Sequence, residues 1–205
     1  MARRYISRLR GRDDFRRKSG LRTPRSITLI VCEGETEQLY FQAARLHFGL
    51  RNAEVVIADN ARDSAPISVV RLAEAKCREP GGYDKVFCVF DRDTHDSFAA
   101  ARKRVTELQR RAENPLPIAD VVSIPCFEVW VLLHFERSDA PFNRCAEVVA
   151  RIEQKHVAGY RKTDETTARD LMTRLPTALA NGVWLAGRAQ GINNNPCTAV
   201  HMLMR

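Results

Sequence analysis

The chain has no apolar run near the ~18 residues a bilayer-spanning helix needs, so membrane association is not expected. Charge at the N-terminus is followed by no apolar h-region, so a secretory leader is not expected either. The six cysteines, Cys32, Cys77, Cys88, Cys126, Cys145 and Cys197, include no C-x-x-C pair. That scatter argues against a zinc site and against a disulfide framework. Cys32 and Cys88 fall inside apolar runs, where cysteine acts as a small hydrophobe. A reduced cytoplasm is the expected setting. No P-loop is present, so the chain is not expected to be an ATPase itself. Internal repeats are lacking, and the five histidines (His47, His95, His134, His156, His201) show no ligand spacing.

What is present is a length of 205 residues with 44% hydrophobic side chains, enough for one domain with an appendage. The net charge of +8 is concentrated at one end. Residues 1–25 carry ten basic side chains against Asp13 and Asp14, and residues 26–205 carry 23 of each sign. A basic arm thus precedes a formally neutral body. Arg3, Arg4, Arg8, Arg10, Arg12, Arg16, Arg17 and Lys18 are its candidate nucleic-acid contacts, because guanidinium groups bind phosphates and release counterions. A solvated tail without a specific partner is the plainer reading of the same residues.

Short β-branched apolar runs alternate with helical stretches. Strands are expected at Ile27–Cys32, Val55–Ala58, Val86–Phe90 and Ile118–Ile124. Helices are expected from Glu37 to about Phe48 with Thr36 as cap, from Pro66 to Cys77, and from about Ser97 to Ala112. This alternation predicts an α/β fold with a parallel sheet of about four strands flanked by helices. The rest is expected to be mainly helical. Glu128–Phe135 is favoured as a buried helix over a strand, followed by Asn143–His156 and by Asp164–Leu179 interrupted at Pro176. Asn195 and Pro196 read as cap and first position of a last helix, Cys197–Met204. The expected division is 1–25 arm, 26–135 catalytic core and 136–205 helical extension.

Two strand ends deliver acids. Cys32-Glu33-Gly34-Glu35-Thr36-Glu37 ends the first apolar run, and Asp91-Arg92-Asp93 ends the third. Open α/β sheets place their chemistry at the carboxyl ends of their strands. Glu33 at a buried strand end is costly unless paired or bound to a cation. Glu37 falls in a first helical turn, where the dipole favours an anion. Asp91 and Asp93 project to one side if the strand stays extended. Converging carboxylates suit Mg²⁺ or Mn²⁺, one or two ions, rather than zinc. Phosphoryl transfer and phosphodiester hydrolysis are the usual chemistry of such sites. Acids at strand ends and caps are also common without any metal, and each motif is weak alone.

These motifs resemble the Toprim domain of topoisomerases, primases and related nucleases. More closely, the chain resembles the RloB family of bacterial restriction and abortive phage-resistance loci. Pro125-Cys126-Phe127-Glu128-Val129-Trp130-Val131-Leu132-Leu133-His134-Phe135 and Asn195-Pro196-Cys197-Thr198-Ala199-Val200-His201 carry that likeness, which spans residues ~27–205. It implies a Toprim-like core in which Glu33 is a metal ligand that also handles a proton. Asp91 and Asp93 would hold Mg²⁺, and Glu37 and Glu128 would be further metal-binding acids. Lys162, or Arg161 beside it, would be the late basic residue near the scissile phosphate. It also implies a nucleic-acid substrate (DNA or RNA, tRNA included) and an ATPase or sensor partner. A homo-oligomer is left open.

The leading expectation is therefore a metal-dependent nuclease in anti-phage defence, with Glu33, Asp91, Asp93 and Lys162 as catalytic residues. The rivals are a non-catalytic effector subunit that binds nucleic acid or a partner, and primase-type nucleotidyl transfer. His134, Trp130 and Trp184 are expected in the core, and His95 could reach a phosphate. Cys126 lacks the histidine a thiol nucleophile needs.

Overall fold

The computed structural model describes residues 26–58, 65–92, 96–188 and 195–204. The N-terminal arm, Asp93 and His95 lie outside the described residues. In chain order the elements are β1 (Thr28–Cys32), α1 (Glu35–His47), β2 (Ala53–Ile57), α2 (Pro66–Cys77), β3 (Lys85–Asp91), α3 (Phe98–Gln109) and β4 (Ile118–Ile124). Then come α4 (Glu128–Leu132), α5 (Cys145–Lys155), α6 (Glu165–Thr173), α7 (Leu175–Arg188), β5 (Cys197–Thr198) and α8 (Val200–Leu203).

The strands form one sheet in the order β2-β1-β3-β4-β5. β1 to β4 are mutually parallel, and β5 runs antiparallel to β4. The fold is thus α/β with a mostly parallel sheet flanked by helices and a helical C-terminal part. Alternate strand residues face opposite layers. Leu29, Val31, Val86, Cys88 and Phe90 pack against Val69, Val70, Ala101 and Val105 of α2 and α3. Ile30, Cys32, Val89 and Val121 pack against Tyr40 and Phe41 of α1 and against α4 and the C-terminal helices. Both faces are covered, which is why β3 reads as an unbroken apolar run. Among the described residues no helix is long and apolar enough to cross a membrane.

The chain leaves β1 over one face to reach β2, and leaves β3 over the other face to reach β4. The strand order therefore reverses between β1 and β3. A crevice opens at the carboxyl ends of strands at such a point.

Several expected boundaries are corrected. α1 begins at Glu35 with Gly34 as N-cap and no side-chain cap, so Thr36 lies inside the first turn. The helical stretch 164–179 is interrupted at Pro176 as expected: α6 ends at Thr173, and Pro176 sits in the first turn of a new helix, α7, where no N–H is needed. Asn195 and Pro196 do not open a helix. Asn195 exchanges hydrogen bonds with the Phe142 backbone, and residues 197–198 add a fifth strand to the free edge of β4. Ser123 and Thr198 hydroxyls meet there at 2.9 Å.

The expectation of unpaired cysteines is corrected at one place. Cys126 and Cys145 form a disulfide, with Cα atoms 5.6 Å apart. They lie 19 residues apart in sequence, and the packing of α4 on α5 brings them together. His134 is a core residue, as expected. Its Nδ1 faces the Trp130 carbonyl at 2.9 Å and its Nε2 meets the Tyr40 hydroxyl at 3.1 Å. A carbonyl only accepts, so Nδ1 carries the proton and Nε2 accepts from Tyr40. Burial holds this histidine down at a pKa of about 4, so it is neutral. Trp130 is fully buried, whereas Trp184 is half-buried between Arg137 and Arg188, each 5.2 Å from its ring centre.

Candidate metal centre

Glu33 follows β1 directly, and its backbone N–H still bonds the Val89 carbonyl at 3.1 Å, extending the ladder by one step. Its side chain turns across to β3, where Oε2 accepts the Asp91 N–H at 3.0 Å. Asp91, the last residue of β3, accepts the Phe127 N–H on Oδ2 at 3.0 Å. Its other oxygen, Oδ1, is buried and has no hydrogen-bond partner among the described residues. A buried carboxylate oxygen left without a donor costs on the order of 1–3 kcal/mol or more.

Glu37 lies in the first turn of α1 and is 6% exposed. Its carboxylate folds back over Gly34, where a Cβ would stand 3.0 Å from Oε2. A side chain at this position would make the end of that flexible carboxylate give way by a few tenths of an ångström. Burial pushes Glu37 up to about 7, with help from Glu128 and against backbone N–H groups and Lys162. Asp91 is pushed well above the carboxylate range by burial, then by Glu37, Glu128 and Glu33, against the Phe127 amide.

Glu128 opens α4 and is 1% exposed. Its Oε1 lies 2.9 Å from Lys162 Nζ. Lys162 is half-exposed and comes from the loop between α5 and α6, which turns at Gly159 with φ 71. Tyr160 of the same loop is buried and held as a neutral phenol, by burial first and then by Glu128 and Glu37.

The structure therefore brings Glu33, Glu37, Asp91, Glu128 and Lys162 to the reversal point of the sheet. Asp93 and the arm residues Arg3, Arg4, Arg8, Arg10, Arg12, Arg16, Arg17 and Lys18 fall outside the described residues. Arg161 is exposed. Sequence reasoning missed Tyr160, whose only signal was its place beside Lys162, and it missed the Cys126–Cys145 pair, for which no local signal exists.

The residues fit a hard divalent cation. The donors are carboxylate oxygens, one of them buried without a partner, and their mutual repulsion is relieved by positive charge. A thiophilic site does not fit as well. Ligand atoms of Cys126, Glu128 and Cys145 lie within 4.8 Å of one another, but bonded sulfurs are not thiolates. Glu33, Glu37 and Asp91 share the crevice without closing to that distance among the described residues.

The fold and site together define a class: a mostly parallel α/β protein with an acidic cluster at the carboxyl edge of its sheet. A family model described as RloB-like protein matches residues 28–205, and the chain belongs to that family. No curated protein and no solved structure matches the chain.

Proposed function

We propose that this RloB-like protein hydrolyses phosphodiester bonds of nucleic acid with Mg²⁺ or Mn²⁺, as a Toprim-type nuclease of anti-phage defence. The observation that carries the reading is Asp91 Oδ1, buried and unpartnered in a crevice shared with Glu33, Glu37 and Glu128. These four acids, with Asp93, would hold one or two cations. Held there, such a cation would supply polarisation of a phosphoryl oxygen and activation of a water at neutral pH.

The chain's own groups have separable tasks. Phe127 N–H and Asp91 N–H orient the carboxylates of Asp91 and Glu33 before any ligand arrives. Glu37, with a pKa of about 7, can hold or release a proton near neutrality. Lys162 offers an ammonium to the charge that develops on the phosphate. The arm's arginines would grip the phosphate backbone. An ATPase or sensor partner would supply the trigger, since the chain has no P-loop.

The test is cleavage of plasmid, single-stranded DNA and total RNA including tRNA, with Mg²⁺ or Mn²⁺. Wild type is run beside Asp91→Ala and a chelator control. Cleavage confined to wild type with metal is expected. The Glu128–Lys162 pair at 2.9 Å favours a second reading, because it neutralises one acid internally. In that reading the chain is a non-catalytic effector subunit in a defence system. Metal binding without cleavage of any substrate, with the partner present, selects it.

A further inference from the structure

The Cys126–Cys145 disulfide is built into the wall of the acidic crevice. Cys126 lies two residues before Glu128 and one before Phe127, whose N–H holds Asp91. Cys145 is the first residue of α5. Its sulfur lies 3.0 Å from Glu128 Oε2 and 3.2 Å from Lys162 Nζ. One covalent bond thus ties the turn carrying Phe127 and Glu128 to α5, and touches both members of the Glu128–Lys162 pair. The other described cysteines, Cys32, Cys77, Cys88 and Cys197, are unpaired.

We propose that Cys126 and Cys145 are a reversible oxidative modification site that sets the cation affinity of the crevice, high when bonded and low when reduced. This rests on the metal reading given above. Two effects act in the same direction. The bond tethers the turn at residues 126–128, so that Glu128 and the Phe127 amide are held toward Asp91. The bonded Cys145 sulfur also has no proton, so Glu128 Oε2 gains no hydrogen bond from it and keeps its lone pairs for a cation. After reduction a Cys145 S–H stands within donating distance of that oxygen, and the tether is gone.

The chemistry balances with a peroxide as oxidant and a small thiol as reductant. The Cys145 thiolate attacks a hydrogen peroxide oxygen and becomes a sulfenic acid, with one water formed. The Cys126 sulfur then attacks Cys145 Sγ, and the departing hydroxide leaves with the Cys126 proton as a second water. Two thiols and one peroxide thus become one disulfide and two waters. In reverse, a small thiolate attacks Cys145 Sγ, the half-buried sulfur, and the buried Cys126 leaves as thiolate and is protonated. A second small thiol resolves the mixed disulfide. The cysteines end reduced, and the reductant ends as its own disulfide.

The test uses the full chain, oxidised with hydrogen peroxide or reduced with a phosphine, with the Cys126–Cys145 state read by differential alkylation and peptide mass. Mn²⁺ binding followed by electron paramagnetic resonance is expected to weaken about tenfold on reduction, the scale on which groups orienting metal ligands act. Amide exchange at Phe127 is expected to accelerate on reduction without any metal. Cys145→Ser is expected to match the reduced protein and ignore the reductant, while Cys77→Ser keeps the response. Recovery of both cysteines as thiols after peroxide overturns the proposal. So does equal Mn²⁺ affinity in two states verified by mass. Absence of Mn²⁺ binding in both states overturns the metal reading and with it the affinity claim. The Phe127 exchange then decides separately whether the bond holds the turn.

Discussion

The backbone N–H of Asp91 donates to Glu33 Oε2 at 3.0 Å, so the end of β3 aligns the carboxylate that ends β1. Two acids 58 residues apart are thereby held side by side. Such an arrangement is stressed in the metal-free protein and relaxed by a cation, and that asymmetry can be measured.

Replacing Asp91 by Asn removes one of the mutually repelling charges and keeps an oxygen to accept the Phe127 N–H. At pH 8 without divalent metal, Asp91→Asn is expected to have a higher Tm than wild type, because burial and then Glu37, Glu128 and Glu33 disfavour a charged Asp91. Added Mg²⁺ is expected to stabilise wild type and leave the variant unmoved. Thermal melts with and without Mg²⁺ decide it, and a destabilised variant that still responds to Mg²⁺ speaks against the acidic crevice as the cation site.

Glu37 has a folded-state pKa raised to about 7 from 4.5. Between those values the folded protein holds a proton that the unfolded chain has released, so metal-free stability falls as pH rises through this window and levels off above it. The full effect is roughly 3 kcal/mol. Glu37→Gln is expected to flatten this part of the profile. Denaturation midpoints from pH 4.5 to 8 measure it, and an equal slope in both proteins refutes the assignment.

On the opposite face of the sheet Glu74 of α2 gathers three guanidinium groups. Arg104 binds it with Nε and Nη2, Arg111 at 2.9 Å and Arg78 beside them. Burial alone would raise Glu74, but the Arg104 and Arg111 hydrogen bonds outweigh it and hold its pKa below the usual value. The three arginines are partly exposed, which discounts the loss. Glu74→Ala is expected to cost about 1–3 kcal/mol, because it leaves three like charges facing one another where α2 meets α3. Urea unfolding measures it. A change under ~0.5 kcal/mol shows that water serves the arginines equally well.

Gly182 of α7 has no room for a side chain. A Cβ there would lie 2.8 Å from the His201 Cβ and 3.1 Å from the Trp130 ring. Gly182→Ala is expected to lose about 1–3 kcal/mol by overpacking, despite alanine's better helix propensity. A gain in Tm would mean that α8 shifts aside without loss.

Much of the fold was legible because its signals are local. The apolar runs at residues 27–32, 86–90 and 118–124 and the Pro66 start of α2 are patterns of neighbouring residues, and they match β1, β3, β4 and α2 closely. The cap of α1 was misread because Thr36 and Gly34 compete over the same two residues. Gly34 takes the cap position in extended backbone, with no side-chain cap hydrogen bond. The last strand was misread because Cys197 and Thr198 form β5 only where β4 presents an open edge.

The sequence by itself determined the α/β alternation, the buried character of β1 and β3, and the acids at their ends, because each follows from side-chain period and turn chemistry within a few residues. Only the tertiary structure decided that β1 and β3 are neighbours at the reversal of the sheet, and that Glu128 and Lys162 close on the same crevice. It alone paired Cys126 with Cys145. These are contacts between distant segments, set by which helix covers which face of the sheet, and no local spacing encodes them.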